Sequence, residues 1–248
     1  MNKHIVLLAA LVLLLASAVS VPAAARDDAG YGRLLARHVA DGRVDYAGLK
    51  KEEAQLDAAL DAMARVDPAA LSPQAQFAYY INVCNAWTLK LILEHYPGIR
   101  SIKEAGSLFR SPWKRSFVRL RDGVVSLDDI EHGILRPRFH DPRVHFAVNC
   151  ASKSCPPLAG APYRGDIVNA QLDAATRAFV NNPKNTFFKD GALHVSRIFD
   201  WYGEDFGGEP GVWAFIHRFA DAPLAREMDA ATRHELVYDP YDWSLNGG

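Results

Sequence analysis

Cys150 and Cys155 are separated by four residues in the stretch HFAVNCASKSCPPL, residues 145–158, with His145 just upstream, and they are two of the chain's three cysteines. Three chemistries are open to that spacing. A cysteine becomes a nucleophile when a histidine, a helix N-terminus or nearby cations lower its pKa from about 8.5. Two cysteines on a short loop can close a disulfide if the backbone turns back on itself, although so short a loop is worth only about 2 kcal/mol on the entropy model. The pattern H-x4-C-x4-C also offers three metal ligands. Structural zinc sites space their cysteines more closely and need a fourth ligand, which nothing here selects; no metal and no cofactor is expected.

A nucleophile needs a base and a group that orients it. Two histidines are candidates for the base, His145 and His132, the second preceded by Glu131. Asn82 and Asn85 lie about one helical turn apart, so they can share a face and orient a histidine or donate to an oxyanion. Trp201, Tyr202 and Asp205 form an aromatic-acidic patch suited to lining a binding cleft. Each has a plainer alternative: the asparagines can satisfy buried backbone, Glu131 can serve the helix dipole, and Asp205 can cap a helix. Cys84 sits in an apolar helix and is expected in the core.

The elements that must position these residues are legible in the spacing. Residues 31–40 read as a short helix, and VDYAGLKKEEAQLDAALDAMARV as a second helical stretch. Ser72-Pro73 then marks the start of a long, strongly apolar helix that ends before Pro97. Asp122-Gly123 and Asp190-Gly191 sit between β-prone runs, which predicts two hairpins with tight turns. Between them SLDDIEHGILR carries Ser126 as N-cap and Asp129 three residues on, a capping-box pattern, with Pro137 as the stop. RVHFAV reads as a strand that puts His145 on the face opposite Val144 and Phe146. A regular strand would also put His145 and Cys150 on opposite faces, so bringing them together requires a turn at Asn149. Residues 166–183 form an amphipathic helix, and helical segments follow around Asp200 and Trp213. No βαβ rhythm recurs, so the class is α+β: a single domain with a long buried central helix packed on an antiparallel or mixed sheet.

The chain opens MNKHIVLLAALVLLLASAVSVPAAARDD. A basic start, an apolar run and an A-x-A pattern at Ala23–Ala25 predict a signal peptide over residues 1–25, with residues 26–248 as the mature domain in the periplasm or outside the cell. If the segment stayed uncleaved it would serve as a membrane anchor. A formal net charge of −1 gives no basic stripe for nucleic acid. The expected partner is a small molecule, a peptide or another envelope component.

YINVCNAWTLKLILEHYP, SLDDIEHGILRPRF, DPRVHFAVNCASKSCPPL, DWYGEDFG and the closing PYDWSLN together resemble the successive motifs of the domain of unknown function 547 family. The resemblance runs from about Tyr31 to the C-terminus. It implies a layout similar to papain-like and transglutaminase-like thiol enzymes, with Cys150 as the firmer of the two cysteines. Cys84 departs from the pattern, which usually has a bulky residue between the two asparagines. The function this implies is a thiol-dependent hydrolase or acyltransferase; the alternative is a non-catalytic envelope-binding module with a Cys150–Cys155 bridge.

Overall fold

The computed structural model describes residues 23–107 and 111–247. Most of the segment read as a signal lies outside them; its last residues fall in α1 (Ala23–His38). No helix among the described residues is long and apolar enough to cross a membrane. The class is α+β, as expected: many helices and three small sheets.

After α1 come α2 (Tyr46–Lys51) and α3 (Glu53–Arg65), and then the long helix α4 (Pro73–His95). Ser72 Oγ accepts from the Ala75 N–H at 3.3 Å, and Pro73 occupies the first turn, where its missing N–H costs nothing. Buried residues from Gln76 to Leu93 cover every side of α4. A helix apolar all round needs cover from all directions, and it gets this cover from other helices. Its neighbours are α3, α5 (Leu127–Ile130) and α7 (Val168–Val180). The expected broad sheet beneath it is absent among the described residues: the strands are short and only edge the helix, as where Arg119 lies over the Trp87 ring and Val118 joins the same cluster.

Those strands form two hairpins at the places the Asp-Gly pairs predict and a third that the reading passed over. β1 (Val39–Ala40) pairs with β2 (Arg43–Val44), β3 (Val118–Leu120) with β4 (Gly123–Val125), and β5 (Thr186–Lys189) with β6 (Ala192–Ser196), all antiparallel. β7 (Leu236–Asp239) joins β6 in parallel. In the first hairpin Asp41 and Gly42 have φ of 50° and 75°, the left-handed pair of a type I′ turn. A side chain at Gly42 would meet Pro157 Cβ at 2.2 Å. That turn therefore rests directly on the exit of the cysteine loop.

Apolar burial falls into two clusters. One gathers α1, α3, α4 and α5; the other gathers Leu193 and Val195 of the sheet with Phe199, Phe206, Trp213 and Phe219. The last four lie on α8 (Ile198–Trp201), α9 (Gly203–Phe206) and α10 (Gly208–Phe219); α11 (Ala222–Ala230) follows. α7 spans both clusters, with Leu172 in the first and Phe179 in the second. So does the segment before Cys150: Val144 and Ala147 pack in the first cluster, Phe146 in the second.

That segment corrects the expected strand. Pro142–Phe146 is a 3₁₀ turn, because Asp141 accepts from the Arg143 N–H at 3.0 Å and Pro142 starts the turn, a helix-start signal that outweighs the β-prone residues after it. The capping box at Ser126 and Asp129 is present in full. Pro137, however, does not stop the chain's helical course. A π-helical turn, Glu131–Leu135, follows α5 and leads into α6 (Arg136–Phe139), with the proline in its first turn. Such turns re-aim side chains and recur at functional sites. This one carries Glu131 and His132.

A candidate active site around the cysteine pair

At the seam of the two clusters lies a cavity of about 230 Å³. Cys150, Cys155 and His145 line it, as do Glu131 and His132 of the π turn and Trp201 and Tyr202 at the end of α8. Six of the sequence candidates thus share one pocket with Cys155. Asn82, Asn85 and Asp205 do not line it.

The two sulfurs stand 2.7 Å apart, longer than a disulfide bond of about 2.05 Å, and no bond joins them. The expected bridge thus finds no support in this geometry. Cys150 Sγ also lies 3.2 Å from Ser152 Oγ and 3.2 Å from the Tyr241 hydroxyl. Burial alone would raise the Cys150 thiol, yet its hydrogen bonds with Cys155, Ser152 and Tyr241 outweigh it and hold the thiol below its ordinary value. Cys155 is pushed the other way, well up, by burial and by its neighbour. With Cys150 ionised, the Cys155 S–H is a donor to it. Burial, and then the charges of Cys155 and Cys150, also raise Tyr241 far above the usual phenol range, so its O–H keeps its proton and remains a donor.

The sequence reading missed Tyr241 and Ser152 as functional groups. PYDWSLN stands out in the sequence as a motif, but only folding shows what it touches. The C-terminal segment pairs with the cysteine loop: Lys153 N–H donates to Ser244 O, Ser154 N–H to Asp242 O, and Asn246 N–H to Ala151 O. These bonds hold Tyr241 against Cys150.

A buried asparagine network shapes the loop from the other side. Asn85 donates to Ala147 O at 2.9 Å and accepts from the Asn149 N–H at 2.8 Å. Asn149 in turn donates to Pro156 O at 2.7 Å and accepts from the Ala151 N–H at 2.8 Å. Asn246 reaches Asn149 Oδ1 at 3.3 Å and accepts from the Tyr46 hydroxyl at 2.7 Å. The network holds Ala151, next to Cys150, at φ 58°, a left-handed conformation that a non-glycine residue keeps only when its surroundings impose it. Asn82 likewise brackets Tyr163, donating to its carbonyl and accepting from its N–H. Neither helix asparagine faces a histidine, so the orienting and oxyanion roles are corrected: both satisfy buried backbone, and Asn85 positions the loop.

Neither histidine makes a hydrogen bond to Cys150. His145 Nε2 lies 2.7 Å from Asp205 Oδ2, and its ring stacks on Tyr202 with centroids 3.8 Å apart. Arg136 grips the same carboxylate with two hydrogen bonds, at 2.6 and 2.8 Å. The His145 contact first, and then Arg136, hold Asp205 far below the usual carboxylate range. An ionised Asp205 can only accept, which assigns a proton to Nε2 and leaves Nδ1 as the nitrogen that can take or give another. His132 is more open, its side chain 40% exposed, and its Nδ1 accepts from Arg136 at 2.8 Å. Glu131 does not orient it; instead it accepts from the Tyr202 hydroxyl at 2.5 Å. Asp205 is thus the partner of a buried histidine and faces a second cavity, with Arg136 and Glu204, rather than the one that Trp201 and Tyr202 line. Cys84 is buried in the core as expected.

Asp205→Asn is expected to lower stability by about 2 kcal/mol at pH 7, a figure discounted because a quarter of the side chain is open to solvent. The folded pKa lies below the unfolded value of about 3.9, so the contribution is full above that value. It is lost as pH falls through the folded pKa. Urea unfolding from pH 7 down to pH 2 should show the two proteins converging in the acid; parallel curves would sink the assignment.

Fold and site together define an α+β protein with a pair of cysteines set in the wall of an aromatic pocket. Over residues 68–180 the chain matches the family described as protein of unknown function, DUF547. On that segment it resembles the family as its motifs indicate. The match is narrower than the span the motifs suggested. It contains α4, the capped helix and the cysteine loop, whereas Trp201, Tyr202, Tyr241 and Trp243 lie beyond it. No curated protein and no solved structure matches the chain, and the likeness to papain-like enzymes finds no support.

Proposed function

We propose that this protein is a thiol-dependent acyltransferase or hydrolase with Cys150 as its nucleophile. The observation that carries this reading is the set of three polar groups, Cys155, Ser152 and Tyr241, within hydrogen-bond reach of one cysteine sulfur at the wall of a cavity, with Ser152 and Tyr241 also bonded to each other. Hydrogen bonds to a thiolate favour the reactive form. The Cys150 thiolate attacks the acyl carbonyl carbon, and the bond from that carbon to the leaving nitrogen, oxygen or sulfur breaks, giving a thioester on Sγ. His145, with its Nε2–H on Asp205, carries the proton at Nδ1. Protonated, it gives that proton to the leaving group; neutral, it takes one from the water or other acceptor that attacks the thioester and frees the thiolate. In this reading Asp205 and Arg136 are positioning residues.

The test is to incubate the protein with an activated acyl ester and measure its intact mass and peptide map. The expected product is a single acyl adduct on Cys150, removed by hydroxylamine. Absence of an adduct on the folded protein, with labelling of Cys150 only after unfolding, would discard the nucleophile and favour a non-catalytic binding module.

A further inference from the structure

The pocket beside Cys150 has a chemical bias of its own. Five aromatic rings line it: Trp113, Trp201, Tyr202, Tyr241 and Trp243. Four of them pack on one another, with Trp201 centred 4.8 Å from Tyr241 and 5.4 Å from Trp243, and Trp113 5.7 Å from Trp243. Trp201 remains 46% exposed, so this box is not sealed by the fold. Two carboxylates share the wall, Asp128, 3.8 Å from His132 Nε2, and Glu131, which accepts from Tyr202; the only basic side chains among the described lining residues are His132 and His145, with no lysine or arginine. Arg136 lies just behind it, but its charge is matched by Asp205. The Trp243 ring already attracts an ammonium group, Lys103 Nζ, 3.9 Å from its centroid. Aromatic faces carry negative potential, and boxes of them with nearby carboxylates select cations.

We infer that the substrate presented to Cys150 carries a positive charge, an ammonium or guanidinium group on the acyl donor or acceptor, held by the aromatic box with Asp128 and Glu131. This deepens the thiol reading and rests on it. An anionic substrate of the same size is disfavoured by the two carboxylates.

Charge-matched alkylating reagents test both ideas and keep their failures apart. Iodoacetamide, iodoacetate and (2-bromoethyl)trimethylammonium each form a thioether as the carbon–halogen bond breaks and halide leaves. Rates at Cys150, located by peptide mapping, are divided by the rates with 2-mercaptoethanol. The cationic reagent is expected to gain about tenfold over the neutral one, and the anionic reagent to lose ground. Trp201→Leu, at an exposed ring, and Asp128→Asn should each reduce that preference. Equal normalised rates for the three reagents, or an anionic preference, would overturn the inference while leaving the nucleophile in place. If none of them labels Cys150 in the folded protein, both fall.

Discussion

Asn149→Ala is expected to destabilise the protein by about 3–5 kcal/mol. The side chain makes one hydrogen bond to Pro156 O and receives two, from the Ala151 N–H and Asn246 Nδ2. It is almost fully buried, so alanine strands three polar partners where water cannot replace it. Each stranded group costs about 1–3 kcal/mol. The left-handed backbone at Ala151 adds to the loss, since its N–H anchor disappears while its steric cost remains. Urea unfolding should show a lower midpoint with an unchanged slope, the mark of a stability change without a change in the surface exposed. A loss below about 1 kcal/mol would mean that the cysteine loop is held by something other than this network.

The second large effect concerns the thiolate. Combining Tyr241→Phe with Ser152→Ala removes two of the three hydrogen-bonding partners of Cys150 Sγ, and the thiol pKa should rise. Below its pKa the thiolate fraction grows with pH, so a higher pKa means less thiolate at pH 7, with the full rate recovered only in more alkaline solution. A hydrogen bond to a charged group is worth about 1.5–3 kcal/mol. Part of this is offset, because a more basic thiolate is intrinsically more nucleophilic, with a Brønsted slope of about 0.4–0.5. Iodoacetamide labelling at pH 7 should therefore slow by about fivefold for each single variant and about thirtyfold for the pair. Matched profiles from pH 5 to 10 would separate a moved midpoint from a lower plateau. If the double variant alkylates with the wild-type profile, Tyr241 and Ser152 do not hold the thiolate, and the observation on which the proposed function rests is lost.

Local chemistry accounts for what was legible beforehand. The capping box at Ser126 and Asp129, the Ser72-Pro73 start and the Asp-Gly turns act within a few residues, so composition and spacing alone announce them. The third Asp-Gly pair, Asp41-Gly42, is equally local, but the apolar spacing before it reads as helix and hides the turn. The short segment before Cys150 misled for a related reason. Val144, Phe146 and Val148 alternate as in a strand, while the Asp141-Pro142 start drives the chain into a 3₁₀ turn.

By itself, the sequence determined the α+β class, the long buried helix, the cysteine pair as the centre of chemical interest, and most of the residues gathered around it. Tertiary structure decided their roles. Asn85 lies 64 positions before its partner Asn149, Asp205 lies 60 after His145, and Tyr241 lies 91 after Cys150. No periodicity or motif spacing encodes a hydrogen bond across such separations. They arise because two apolar clusters must each close, and the seam where they meet draws distant polar groups to one another: a buried donor or acceptor without a partner is too costly to leave.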